Sequence, residues 1–158
     1  MALIYPPYLV KQGTPEMSSS LINKSITVMA FDYGMRRVGV AVGNSVTKSG
    51  QALKTIAAPS SDALFQEIGK LLKEWQPNQL VVGRPVHPDG SPHEMTAKAV
   101  RFGNQLHGRF QLPVSWVDER YTSAVLEGNS EMHDNLDAHS AALILEQYFA
   151  ESSVKHLS

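Results

Sequence analysis

Three carboxylates in this sequence stand where they could act together. Asp32 follows one apolar run, Glu119 follows another, and Asp137 begins a segment with helical periodicity. Acids that meet at one place repel one another strongly, and a cation between them relieves the repulsion. Ligand sets made only of oxygen favour Mg²⁺ or Mn²⁺ over Zn²⁺. Such a cluster suits hydrolysis of a phosphodiester, in which two metal ions about 3.5–4 Å apart activate water and stabilise the leaving oxygen.

Each of these acids also has an ordinary interpretation. Asp32 could be a turn residue, since Asp favours turns without any chemistry being involved. Glu119 could pair with Arg120 at the surface, and Asp118 could be the functional acid instead, because neighbouring residues of a strand face opposite ways. Asp137 could simply cap a helix. For each acid alone the ordinary role is favoured, but it is less plausible that all three acids have only ordinary roles.

Four arginines adjoin the predicted strand ends and are candidates for binding substrate phosphates: Arg36, Arg37, Arg84 and Arg120. The formal net charge of −1 shows none of the basic surplus with which many nucleic-acid-binding proteins attract a polyanion. A polyanionic partner would therefore have to be held by a local patch. The alternative is that all four are solvated surface charges, as most arginines are.

Composition is that of an ordinary globular domain. The chain has 158 residues, of which 42% are hydrophobic and 18% charged, and it contains no cysteine. This excludes disulfides and thiolate metal sites, and it is compatible with a cytoplasmic protein. We find no apolar run long enough for a bilayer, and we expect neither a signal peptide nor a membrane partner. We expect an extension at residues 1–24, one domain at residues 25–150 and a tail at residues 151–158.

Alternating apolar residues predict three antiparallel strands in the first half of the domain. Residues 26–31 form a β-rich apolar run that ends at Asp32, and residues 37–42 alternate valines with small residues, as a returning strand would. A turn containing Gly34 joins the two as a β-hairpin. A third strand at residues 50–56 completes the antiparallel set.

Helices and strands alternate in the second half. An apolar stripe predicts a helix at residues 62–75, and the run that follows it, apolar on both faces, predicts a buried strand at residues 79–83. The later elements expected from periodicity are a helix at 94–110, a strand at 113–117, a short helix at 122–127, a polar loop at 128–136 and a helix at 137–150. Strand–helix–strand order implies right-handed parallel crossovers.

These elements together predict an α/β fold with a mixed five-stranded sheet, three antiparallel strands followed by two parallel ones, and helices on both faces. Functional groups of such sheets collect at the carboxyl ends of parallel strands, which is where Asp32 and Glu119 are expected. Asp137 begins a helix whose first turn could lie at the same edge of the sheet. Ser140 and Ala141 share its helix face and leave room for a metal, whereas His139 should point elsewhere.

Four segments of the sequence carry a family resemblance. They read DYGMRRVGVAVGN at residues 32–44, VVGRPV at 81–86, VDERYT at 117–122 and DAHSAALILEQYF at 137–149. In order and spacing they resemble the motif series of the YqgF/RuvX family of Holliday-junction-resolvase-like nucleases. The resemblance covers residues 28–149, and four motifs together are far more specific than the D-x-G turn alone.

The resemblance implies a ribonuclease H-like fold and a bacterial cytoplasmic nuclease dependent on Mg²⁺ or Mn²⁺. It also implies that the protein processes the 5′ end of the 16S ribosomal RNA precursor on or near the ribosome, or, by an older proposal, resolves branched DNA. By match of motif, Asp32, Glu119 and Asp137 fall on the family's catalytic acids. Arg37 falls on its basic position after the D-x-G turn.

Other functions stay open at this point. A nucleic-acid-binding or ribosome-assembly module whose acids hold no metal would retain RNA binding without metal uptake. A nucleotide site of the actin and sugar-kinase type also opens with D-x-G, but it needs a second domain of similar size, for which this chain is too short. A junction-cutting enzyme would be a symmetric homodimer, whereas a trimming enzyme could be a monomer.

Overall fold

A computed structural model describes residues 25–57, 60–119 and 133–157 of the chain. Its elements, in chain order, are β1 (Thr27–Tyr33), β2 (Arg37–Asn44), β3 (Gly50–Ala57), α1 (Ser61–Trp75), β4 (Gln79–Pro85), α2 (Thr96–Phe110), β5 (Val114–Glu119) and α3 (His133–Leu157).

The strands form one sheet in the order β3-β2-β1-β4-β5. β2 pairs antiparallel with both β1 and β3, whereas β4 pairs parallel with both β1 and β5. The predicted mixed five-stranded sheet is confirmed. Because β1 lies in the middle, it joins the antiparallel hairpin to the parallel half, and its carboxyl end lies at the same edge as those of β4 and β5.

Helices cover both faces of the sheet, as predicted. Alternation along β1 divides its apolar residues between the two layers: Met29 and Phe31 pack with α1 and α2, and Val28 and Ala30 pack with α3. β4 is divided in the same way, which explains why its sequence is apolar on both faces. Alternate residues of a strand therefore pack against different helix layers.

Local signals set the ends of α1. The Ser60 side chain accepts a hydrogen bond from the Ala63 backbone N–H, which caps the first turn. At the other end Gln76 takes a left-handed conformation, with φ of 48°, and its N–H donates to the Leu72 carbonyl. Pro77 follows, so the predicted helix at residues 62–75 is confirmed to within one residue.

The strand ends differ from the prediction at the positions of the acids. β1 continues through Asp32 to Tyr33, where the register still pairs Tyr33 with Val38. β5 likewise extends through Asp118 to Glu119. Apolar runs indicate where a strand is buried, whereas backbone pairing continues beyond the last apolar residue. The acids are therefore strand residues whose faces are fixed by alternation.

The prediction for α3 was wrong at both ends. The helix begins at His133 and ends at Leu157, so residues 133–136 are helical rather than part of a loop, and the helix passes the predicted end at residue 150. Asp137 lies in the second turn, which rules out a capping role. The apolar period that starts at Ala138 marks residues that are buried against the sheet, and it does not mark the beginning of the helix.

Several predictions fall outside the described residues. These concern the extension at residues 1–24, the short helix at residues 122–127, most of the predicted loop and the side chain of Arg120. The domain boundaries stay a prediction as well. Within the described ranges, none of the helices has the length and apolar character needed to cross a membrane.

Candidate active site

Asp32 and Asp137 are brought together by a close contact between β2 and α3. Asp32 lies directly opposite Gly39 in the β1–β2 register, so both residues face the same side of the sheet. A Cβ atom added at Gly39 would lie 1.8 Å from the Asp137 carbonyl oxygen. Only glycine lets the helix backbone approach this closely. The contact places the first turns of α3 beside Asp32.

Glu119 lies on the same face of the sheet, on the edge strand β5. It pairs with Pro85 at the end of β4, and its side chain lies across Gly83. A Cβ atom at Gly83 would lie 2.3 Å from the Glu119 Oε2 atom and 2.5 Å from Ile144 Cδ1 on α3. A second glycine therefore makes room for an acid between the sheet and this helix.

Burial and mutual repulsion raise the pKa values of two of the acids. The pKa of Asp32 rises from an ordinary 3.8 to about 7, first because the carboxyl is buried and then because of the negative charge of Asp137. The pKa of Glu119 rises from 4.5 to about 8, again first through burial and then through the charge of Asp32. The three acids thus share one electrostatic environment, with Asp32 in the middle.

Asp137 is bound to one of the predicted phosphate-binding arginines. Arg37 Nε donates to Asp137 Oδ2 at 3.1 Å, across 100 residues of sequence. Arg37 lies on β2 two residues before Gly39, so it faces α3 as Gly39 does. About a third of each side chain is exposed, 32% for Arg37 and 29% for Asp137.

Asp118, the alternative acid, lies on the opposite face of the sheet. Trp116, two residues earlier on β5, donates its indole N–H to the Ala99 carbonyl of α2, which identifies this face. Arg84 is the register partner of Asp118, and its Nε donates to Asp118 Oδ1 at 2.8 Å. The contact of Arg84 with a substrate phosphate therefore stays a prediction, since in this structure its guanidinium holds a carboxylate.

Three further residues considered in the sequence differ in exposure. Arg36 is exposed in the turn between β1 and β2, where Gly34 N–H donates to the Arg37 carbonyl. His139 is exposed on α3, as expected for a surface residue. Ser140, predicted to share the helix face of Asp137, is buried.

Mg²⁺ or Mn²⁺ fits these donors chemically. Asp32 and Glu119 provide carboxylate oxygens, and repulsion that favours their protonated forms would be relieved by a divalent cation. The structure describes no set of three His, Asp or Glu side chains already arranged around one point in residues 25–57, 60–119 and 133–157. Asp137 is the third acid near them, since its charge raises the pKa of Asp32, and its Oδ2 atom accepts from Arg37 in this structure.

The two glycines are the site residues that sequence reasoning missed. Gly39 and Gly83 carry no functional group, but each removes the Cβ that would separate an acid from its neighbour. A glycine inside a strand is a known sign of close backbone approach, and both stand within predicted strands. That signal could have placed α3 over β2 and β4.

Comparison with known proteins identifies the family. A profile described as RuvX, Holliday junction resolvase, matches residues 26–151. The chain belongs to the RuvX family. The resemblance seen in the motifs is confirmed, and membership of this nuclease family places the chain among the hydrolases.

Relatives of the RuvX family agree over most of the chain. A protein of Polynucleobacter necessarius subsp. necessarius (strain STIR1), with the provisional name pre-16S rRNA nuclease, is 82% identical over 126 residues, which are 80% of this chain and 86% of the relative. A protein of Paraburkholderia xenovorans (strain LB400) with the same provisional name is 53% identical over 137 residues, 84% of this chain and 94% of the relative.

A solved structure supports the fold. T. thermophilus RuvC, in complex with a Holliday junction substrate, aligns with a TM-score of 0.53 at 14% sequence identity. The alignment covers 81% of this chain and 96% of that chain. The ribonuclease H-like fold expected from the family resemblance is therefore confirmed.

Proposed function

We propose that this RuvX-family protein is a divalent-metal-dependent nuclease that processes the 5′ end of the 16S ribosomal RNA precursor. Its nucleic-acid partner would be that precursor, within the assembling small ribosomal subunit in the bacterial cytoplasm. The provisional names of the relatives support the substrate. The observation that best supports the chemistry is that Asp32, Glu119 and Asp137 lie on the α3 side of the sheet, where burial and the charge of a neighbouring acid raise the pKa values of the first two.

In this proposal Asp32, Glu119 and Asp137 hold the Mg²⁺ or Mn²⁺. The bound cation would supply an activated water and stabilisation of the leaving oxygen. Because Asp32 and Glu119 lie between the sheet and α3, little water would screen the attraction between a bound cation and their ionised carboxylates. Because Asp32 lies between the other two acids, we expect its substitution to lower cleavage more than substitution of Glu119 or Asp137.

Arginines around the rim would bind the phosphates that flank the scissile bond. Arg36 is exposed at the hairpin turn, and Arg37 stands at the beginning of β2 beside the acids. Guanidinium groups suit phosphate oxygens because they can donate two parallel hydrogen bonds. The formal net charge is −1, so a local group of arginines, rather than an overall positive charge, would attract the nucleic acid.

Substitution of Asp32 by Asn tests the chemistry. We expect Asp32→Asn to lower Mn²⁺-stimulated cleavage of an RNA spanning the precursor 5′ end by at least about 100-fold, because a carboxylate next to the cation is lost. Asp118→Asn is the matched control, because Asp118 lies on β5 beside Glu119 but faces α2. Wild-type cleavage by the Asp32 variant would refute the proposal.

Resolution of branched DNA is the second candidate, because the matching family description names a Holliday junction resolvase. Cleavage of matched RNA and four-way-junction DNA substrates would separate the two functions. A junction-cutting enzyme should also be a symmetric dimer in solution, since two strands must be cut. Preference for the precursor RNA by a monomer would exclude the resolvase function.

A further inference from the structure

We propose that Arg37 is the built-in counter-ion of Asp137, and that cation binding moves this carboxylate from Arg37 to the metal. The Arg37 Nε–H group, which donates to Asp137 before the exchange, would then donate to a phosphate of the nucleic acid. Arg37 would thus link metal binding to substrate binding. The inference rests on the proposed metal-dependent function and adds the order of events within that site.

The geometry allows the exchange without movement of the helix. The α3 backbone at Asp137 is pressed against Gly39, where an added Cβ would lie 1.8 Å from the carbonyl oxygen. Arg37 stands two residues before Gly39 on β2, and Asp32 stands opposite Gly39 on β1. Asp137 is therefore near both the Arg37 guanidinium, from which it accepts a hydrogen bond, and Asp32, whose pKa its charge raises. We therefore expect the change of partners to need rotation of the Asp137 side chain and no movement of the helix backbone.

The ion pair is of a kind that a divalent cation can displace. Arg37 Nε and Asp137 Oδ2 are 3.1 Å apart, but about a third of each side chain is exposed. Partly solvated ion pairs contribute little net free energy, because water and salt screen them. A divalent ion beside Asp32 would attract the same carboxylate with twice the charge, together with the other acids.

Thermodynamic linkage makes the exchange reciprocal. If the metal weakens the hold of Asp137 on Arg37, a phosphate that binds Arg37 must strengthen metal binding by the same factor. Metal and nucleic acid would therefore bind cooperatively through one arginine. A simple phosphate-binding arginine, already available before metal binding, would give no such coupling.

Metal titration of two charge-matched variants tests the inference. Arg37→Gln and Arg36→Gln each remove one positive charge from the β1–β2 hairpin, but only Arg37 is bound to Asp137. With Mn²⁺ alone, measured by calorimetry, we expect Arg37→Gln to bind the ion at least about fivefold more tightly than Arg36→Gln. Equal or weaker affinity in the Arg37 variant would overturn the inference.

Two readouts on the wild-type chain complete the test. The Arg37 Nε–H resonance should shift when Mg²⁺ is added, because its carboxylate acceptor leaves; an unchanged resonance in the metal-bound protein would overturn the inference without any variant. With Ca²⁺ in place of the active ion, single-stranded RNA should bind more tightly to the wild type, and this gain should be lost in Arg37→Gln. Failure of the wild type to bind Mn²⁺ at millimolar concentration would instead refute the proposed function itself.

Discussion

Asp118 and Glu119 are neighbours on β5, and the sheet gives them opposite surroundings. Asp118 faces α2 and accepts a hydrogen bond from Arg84 at 2.8 Å. Glu119 faces α3, lies across Gly83, and has a pKa raised to about 8 by burial and by the charge of Asp32. One residue of strand alternation thus separates an acid with an arginine partner from an acid held near other acids.

The two faces of the sheet therefore differ in how strongly they oppose ionisation of an acid. The Arg84–Asp118 pair is partly exposed, with 41% and 35% of the two side chains accessible, and such pairs have little effect on stability. On the α3 face, burial and like charge oppose ionisation of both Asp32 and Glu119. Groups with pKa values raised in this way concentrate at functional sites.

Substitution of Gly39 should produce the largest effect of those expected from this comparison. Gly39→Ala places a methyl group against the backbone of α3, so the helix must move away from β2. We expect a loss of about 3 kcal/mol or more in the free energy of unfolding, together with loss of cleavage. Urea denaturation and the RNA-cleavage assay measure the two effects.

Gly108→Ala provides the control for that experiment. Gly108 lies within α2, and an added Cβ would meet no atom within 4 Å. Alanine there should stabilise the protein by about 0.5–1 kcal/mol, since glycine weakens a helix interior. If both alanine variants behaved alike, the close contact between β2 and α3 would be refuted.

The second largest effect expected is a dependence of stability on pH, caused by the two acids on the α3 face. Because the pKa values of Asp32 and Glu119 are higher in the folded state, about 7 and about 8, than their ordinary 3.8 and 4.5, the native protein binds more protons between these limits. The free energy of unfolding should therefore fall as the pH rises from about 4 to about 8. Above that range both acids are ionised in both states, and the dependence should level off.

Urea denaturation with a chelator present, at several pH values, measures this slope. Asp32→Asn should flatten it, since one buried carboxyl is removed and the Glu119 carboxyl loses its nearest like charge. Mg²⁺ should restore stability mainly at pH 8, where the carboxylates are free to bind it. A free energy of unfolding that rises with pH across this range would contradict the electrostatic account.

The smallest effect is expected for Asp118→Asn. Loss of a partly exposed ion pair with Arg84 should change the free energy of unfolding by less than about 1 kcal/mol. Cleavage should stay within about threefold of the wild type, because Asp118 faces away from the acid cluster. A large loss of activity with a stable fold would show that the α2 face also takes part in the reaction.

The sheet and the convergence of two acids could be predicted from sequence for a simple reason. Alternating and continuous apolar runs indicate which strands are buried on one or both faces, and parallel strands end at the same edge. These rules placed Asp32 and Glu119 together. They failed at the element ends, because pairing of β1 and β5 continues through polar residues, and α3 begins one turn before its apolar period.

The pairing of charges could not be predicted in the same way. Arg37 and Asp137 are 100 residues apart, and no periodicity connects them. Their contact depends on the approach of α3 to Gly39, which is a packing property of the folded chain. Arg84 and Asp118 could have been matched from the β4–β5 register, but only once the paired positions were known.

The position of α3 in the chain has a consequence for biosynthesis. This helix follows all five strands in the chain and contacts them through Gly39 and through a hydrogen bond from Gln147 to the Asp118 carbonyl. A nascent polypeptide can pair its strands and still lack Asp137 beside Asp32. A translating ribosome would thus carry an inert precursor of the proposed nuclease, and cutting of RNA near its own site of synthesis would be delayed until α3 has docked.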